Sequence, residues 1–213
     1  HDYWDEASGF ATKQGVAFNV KSPEWASEAA IRYISEYYQG FEDAVYAVDA
    51  DGNYTGYNEA TGKYYYDYVD QESLVKLVLL QQLALNPDGF ISSVYFYKDV
   101  DGKMYAGPIW DQDMTLGTGW SKYIDPSIVD YHYLEEALLR IPGFKKAVTD
   151  YYHSVFAPMV AETIADGGTV DQYADVLAEN MAMNHVLWPF IRIGSPSASG
   201  HVWENTTYDE VIR

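Results

Sequence analysis

A chain of 213 residues, 48% hydrophobic and 21% charged, is long enough for one domain with a buried core and is not a disordered polymer. Its formal net charge of −19 excludes nucleic acid as a partner and repels free nucleoside triphosphates unless metal ions or basic residues from elsewhere neutralise them. The absence of cysteine excludes disulfides, thiolate zinc sites and cysteine nucleophiles; no apolar run reaches spanning length, because Lys76, Gln81 and Gln82 interrupt the greasiest stretch, Leu74 to Leu85.

The chain begins at His1 rather than Met and reads as a fragment excised from a longer protein. Residues 1–21 are an entry segment, aromatic, acidic and punctuated by glycine, ending in a short strand over Val16–Val20. Ser22 is a helix cap and Pro23 suits the first helical position. Ile31, Ile34, Tyr38, Phe41 and Val45 then recur at three- and four-residue steps, which predicts an amphipathic helix over Pro23–Ala47. Asp49 to Lys63 is turn-rich. It fails as an EF-hand, with Tyr54 where glycine is needed and Ala60 where glutamate is needed, so a surface hairpin or loop is expected. The cluster Tyr64-Tyr65-Tyr66-Asp67-Tyr68 reads as an approach that packs on the core, with a peptide- or sugar-contacting surface as the alternative.

Asp70 caps the next predicted helix, which runs to about Leu85 and is apolar almost all round, as a buried central helix is. Asn86-Pro87-Asp88-Gly89 stops it. Ser93 to Lys98 has strand composition, Asp99-Val100-Asp101-Gly102 supplies a turn, and Lys103 to Trp110 returns as the second strand. A glycine-bearing loop runs from Asp111 to Trp120. Helices follow over about Ser127–Leu139, Gly143–Ala165 and Val170–Trp188, with Pro189 ending the last; the tail, residues 193–213, is extended. No repeat or linker divides the chain. The expected architecture is a single α+β domain over residues 1–213, mainly helical, with one small antiparallel hairpin.

Hairpin partners lie roughly 5 Å apart, so the open ends of a hairpin meet. Asp88 precedes the outgoing strand and Asp111 follows the returning one, so their carboxylates should face one small volume that Asp113 can join. Paired carboxylates suit holding Mg²⁺ against phosphate oxygens and orienting or deprotonating a hydroxyl. Phosphoryl transfer needs both, and protein kinases use this order of parts. Spacing alone does not separate this from Asp88 as a turn residue and Asp111 as a loop cap.

Asn86-Pro87-Asp88, followed by SSVYFYKDVDGKMYAGPIWDQD, resembles the spore-coat protein H (CotH) kinase family. That family reads as an N-x-D loop, an S-x-YFYKD strand, a GP-x-WD-x-D return and a glycine loop. Asn86, Asp88, Ser93, Tyr95, Phe96, Tyr97, Lys98, Asp99, Gly107, Pro108, Trp110, Asp111, Asp113 and Gly117 all match. Weaker likeness covers Val20-Lys21-Ser22-Pro23-Glu24 and, in the closing helices, Pro142-Gly143-Phe144 and Trp188. The resemblance implies a bacterial, secreted or cell-surface atypical Ser/Thr kinase, the spore coat among its locations. It implies a kinase-like C-lobe whose N-lobe is absent from this chain, with ATP and Mg²⁺ or Mn²⁺ as cofactors and a secreted or coat protein as substrate. Carried over, Asp88 takes the catalytic role, Asp111 and Asp113 hold metal, and Asn86 and Ser93 complete the nucleotide site; Lys98, Trp110 and Gly117 are further motif positions.

There are departures. Gln112 stands where the family has an aromatic or aliphatic residue. Ser93 occupies the place of a conventional kinase's metal-binding Asn. No glycine-rich strand-turn-strand and no lysine strand precede the helices, so these residues alone make an incomplete enzyme, and the missing lobe is an expected partner. The alternative is a catalytically inactive adhesin or structural binding module; a carbohydrate-associated module is a third, suggested by the aromatic residues and acidity. The retained Asp88, Asp111 and Asp113 favour the kinase, since neighbouring carboxylates repel once no metal is held. The five histidines show no ligand spacing, and the formal glycosylation triplet Asn205-Thr206-Thr207 carries no assignment.

Overall fold

Helices make up about half of the residues that the computed structural model describes, which are 7–86, 88–113, 115–116, 133–187, 191–193 and 201–203. All the paired strands among them are two-stranded and antiparallel. No helix among the described residues is long and apolar enough to cross a membrane. Two compact units divide the chain. One gathers His1–Leu74, Phe96–Ala106 and Tyr133–Lys145; the other gathers Val75–Tyr95, Gly107–His132 and Lys146–Arg213.

In the first unit the entry segment is a hairpin, β1 (Gly9–Ala11) against β2 (Ala17–Asn19), of which the sequence predicts only the second strand. Phe10 and Phe18 face each other across it with ring centroids 5.3 Å apart, and Phe18 packs 4.4 Å from Tyr38. Tyr38 lies on helix α1 (Glu28–Val45), whose buried face also carries Phe41, Ala44 and Val45. The predicted start at Ser22-Pro23 is corrected. Ser27 is the cap, accepting from the Ala30 N–H, and the Ser22-Pro23 peptide is cis. The Ser8 hydroxyl donates to the Glu24 carbonyl and accepts from the Ala26 N–H, each at 3.0 Å, which holds residues 24–26 on the hairpin and out of a helix.

The Asp49 segment closes as a side-chain-mimicked turn. Its Oδ1 accepts the Asp51 and Asn53 N–H groups, both at 2.9 Å, and bonds from Asn53 hold its carboxyl below the usual range. Hairpin β3 (Tyr57–Asn58) and β4 (Lys63–Tyr64) leads into the one-turn helix α2 (Tyr65–Tyr68), which buries Tyr65 and Tyr68. Helix α3 (Gln71–Ala84) starts where predicted, with Asp70 Oδ1 accepting from the Ser73 N–H at 2.8 Å. It buries Leu74, Val75, Leu77, Val78, Leu79 and Ala84. The predicted hairpin is β5 (Phe96–Lys98) with β6 (Met104–Ala106), paired Phe96 to Ala106 and Lys98 to Met104. It is shorter than predicted. Met104 is fully buried, its backbone bridges Val69, and the Ala106 N–H donates to the Ser73 hydroxyl. Helix α4 (Tyr133–Arg140) buries Leu134, Ala137 and Leu138.

In the second unit the remainder of α3 is followed by the Asp88 and Asp111 loops. The predicted helix over Gly143–Ala165 is continuous but not uniform: α5 (Pro142–Tyr151, beginning in the first unit) passes through a π-helical turn, Tyr152–Phe156, into α6 (Ala157–Thr163). Helix α7 spans Thr169–Leu187, and β7 (Ile191–Ile193) pairs with β8 (His201–Trp203), of which β8 lies in the segment predicted as an extended tail. Residues 127–132, Trp188, Pro189 and most of the tail lie outside the described residues.

Candidate active site

The candidate site grows from the C-terminus of α3. Leu85 takes a left-handed conformation, φ 51°, and two bonds close the turn: Asn86 N–H to the Gln81 carbonyl at 3.2 Å and Leu85 N–H to the Gln82 carbonyl at 3.3 Å. This is a Schellman ending, and it normally carries glycine where Leu85 stands. The helix therefore ends at Ala84, with Leu85 as the turn residue before the Asn-Pro signal.

The Asn86 carboxamide is used at both ends. Its Oδ1 accepts the Asp88 N–H at 3.0 Å, and its Nδ2 donates to the Asp111 carbonyl at 3.4 Å. One buried side chain thus spans the two acids that the sequence singles out, which stand 23 positions apart. The Asp88 carbonyl accepts the N–H groups of Ile91, Ser92 and Ser93 at 3.0, 3.2 and 3.0 Å, winding 88–93 into a tight turn. That turn delivers the buried Ser93, whose hydroxyl donates to Asp111 Oδ2 at 3.5 Å. Between the segments that lead to the two loops, the Gly107 N–H donates to the Tyr95 carbonyl at 2.8 Å and brings these flanks together.

Asp111 is itself in the left-handed region, φ 58°, with an exposed side chain. Asp and Asn enter that region more readily than other non-glycine residues, still at a cost of about 1–2 kcal/mol. Asp113 is exposed, two residues on. The end of this loop is anchored by the Leu116 N–H on the Ala84 carbonyl at 2.8 Å and by the buried Thr115, whose hydroxyl donates to the Gln112 carbonyl at 2.7 Å.

Of the predicted site residues, Asn86, Asp88, Ser93 and Asp111 form this single bonded cluster, and Asp113 lies on the same loop. Trp110 is half exposed and stands edge-on to Tyr95, with centroids 5.8 Å apart. Lys98 belongs to the other unit. There its ammonium donates to the Asp99 and Val100 carbonyls and lies 4.5 Å from the centre of the Tyr37 ring. Gly117 lies outside the described residues.

Hard oxygen donors suit Mg²⁺, which takes one or two protein carboxylates and fills its other positions with water and phosphate oxygens. Among the described residues no group of three or more His, Asp or Glu is placed to hold a metal ion. A partial set is what a metal shared with a polyphosphate needs. Asp111 fits it: its carboxylate is exposed and the Ser93 hydroxyl engages one of its two oxygens.

Two parts of this site escape a reading of the sequence. Gln81 is buried in α3 behind the cluster, and Thr115 is buried in the loop after Asp113. A buried amide on an otherwise apolar helix face is the only signal that points to Gln81. Nothing marks Thr115.

A family model described as CotH kinase protein matches residues 10–212, nearly the whole chain. No curated protein and no solved structure gives a significant match.

Proposed function

The chain belongs to the CotH kinase family, and from that premise we propose that it carries the catalytic acids of an atypical protein kinase, transferring the γ-phosphoryl group of ATP to a Ser or Thr hydroxyl of an exported or coat protein. In this reading Asp88 orients the acceptor hydroxyl and takes its proton. The hydroxyl oxygen forms the new bond to the γ-phosphorus, the bond to the β–γ bridging oxygen breaks, and ADP leaves. Asp111, with Asp113, would hold the Mg²⁺ or Mn²⁺ ion that offsets the charge of the triphosphate. Asn86 fixes the two loops, and Ser93 orients the Asp111 carboxylate. In this reading the chain plays the part of a kinase C-lobe, and an N-lobe outside these residues would supply the positive charge that a chain of net charge −19 lacks.

The observation that carries this reading is the Asn86 carboxamide, bonded at one end to Asp88 and at the other to Asp111. Left-handed backbone at Leu85 and Asp111, on either side of that bridge, adds to it, since strain of this kind gathers at functional sites. The test is phosphate incorporation from labelled ATP by the complete protein with Mg²⁺ or Mn²⁺. Asp88→Ala and Asp111→Ala should each lower it by on the order of 10²-fold or more. Equal incorporation by wild type and Asp111→Ala refutes the proposal and leaves a binding module.

A further inference from the structure

We propose that Gln81 is a positioning residue: its buried amide holds the Asp88 loop and the Asp111–Asp113 loop in register. The inference rests on the phosphoryl-transfer reading above and assigns that site a part which the motif does not contain.

Gln81 is only 4% exposed, and each of its polar groups reaches a site loop. Nε2 donates to the Gly89 carbonyl at 3.4 Å, next to Asp88. Oε1 accepts from Gln112 Nε2 at 3.5 Å, between Asp111 and Asp113. The backbone carbonyl accepts the Asn86 N–H at 3.2 Å. Gln112 is the residue at which the chain departs from the family pattern, and its amide also donates to the Trp110 carbonyl at 2.9 Å. An apolar residue at 112 could make neither bond.

The side-chain bonds are at the long end of the useful range, and enclosure is what fixes the amide. A Cβ built on Gly89 would lie 2.6 Å from Gln81 Cδ and 2.8 Å from Oε1. The loop backbone therefore rests directly on the carboxamide, and glycine stands at 89 for this close approach. Only an amide fits. It donates to one loop and accepts from the other, whereas a carboxylate has no donor for the Gly89 carbonyl and adds charge beside three acids. Leucine fills the space and makes neither bond.

The experiment compares Gln81→Leu, Gln81→Glu and Gly89→Ala with wild type in the complete protein. It reads kcat, KM for ATP, the Mn²⁺ dissociation constant by titration, and Tm. Misplaced loops should lower kcat by on the order of 10- to 100-fold in each variant and weaken Mn²⁺, with a much smaller change in KM. Gln81→Leu and Gly89→Ala break one contact from two sides, so the double variant should be no worse than the poorer single one. A Gln81→Leu protein with wild-type kcat and Mn²⁺ affinity, whatever its Tm, overturns the inference and leaves the kinase reading standing. A wild type that neither incorporates phosphate nor binds Mn²⁺ overturns both. Should Gln81→Leu fail to fold, Gln112→Leu breaks the same link from a half-buried position, with the same outcomes.

Discussion

Replacing Asn86 tests the geometry of the site most directly. Asn86→Ala removes the acceptor of the Asp88 N–H and the donor to the Asp111 carbonyl, bonds of 3.0 and 3.4 Å from a side chain that is 9% exposed. Each such bond is worth about 1 kcal/mol net, so the loss is about 2 kcal/mol, and in a chain of this size that lowers Tm by roughly 4–8 °C. The effect on turnover should be out of proportion to this, on the order of 10²-fold in kcat, because the carboxylates lose their shared reference point. Asn86→Asp separates the two bonds. It keeps an acceptor for Asp88 but sets an anionic oxygen against the Asp111 carbonyl and adds a third charge to the cluster, so it should be at least as damaging as alanine. Thermal unfolding and initial-rate phosphorylation provide the readout. Unaltered Tm and kcat in Asn86→Ala would show that the bridge joins nothing that matters.

Two further predictions concern the first unit. Gly40→Ala should destabilise by about 1–2 kcal/mol although alanine is the better helix former: its Cβ would lie 2.8 Å from the ring of the buried Tyr68, and a rise in denaturant midpoint would contradict the packing. Burial, and then the neighbouring Tyr66, raise the Tyr65 phenol above its ordinary value of 10.0, so the fold favours the protonated form. The sign follows: this contribution is present in full below pH 10 and is lost as pH rises beyond it. Tyr65→Phe, which also gives up the 2.5 Å bond to Gln71, should therefore show a shallower alkaline loss of stability than wild type; identical slopes would refute the assignment.

What the sequence made legible was what turn chemistry and periodicity encode. Asp70 is followed by an unbroken apolar helix, and Asp99 to Gly102 sits between two strand-like runs, so α3 and the β5–β6 hairpin were visible. The start of α1 was misread because Ser22-Pro23 and Ser27 both carry cap chemistry. The choice between them belongs to Ser8, a residue distant in sequence. β1 was missed because Gly9 to Ala11 has no strand alternation, and its stability comes from Phe10 against Phe18. At the site, the sequence singles out Asn86, Asp88, Ser93 and Asp111, but it does not show how their side chains and backbones are joined. The Asn86 bridge depends on Leu85 ending the helix in a conformation that leucine rarely takes, and Gln81 reaches the site from within a helix.

The backbone at position 111 carries a consequence for how this site can change over time. With φ at 58°, asparagine and glycine are the replacements for aspartate that most readily sit there without forcing the chain to move. Asparagine or glycine would preserve the curve of the loop, the carbonyl that Asn86 grips and the placing of Trp110, while erasing the charge. If Asp111 holds the ion as proposed, a descendant becomes chemically silent through one such substitution while the backbone keeps its course. Under the proposed function, shape is then a poor witness to activity, and the identity of that one side chain is a better one.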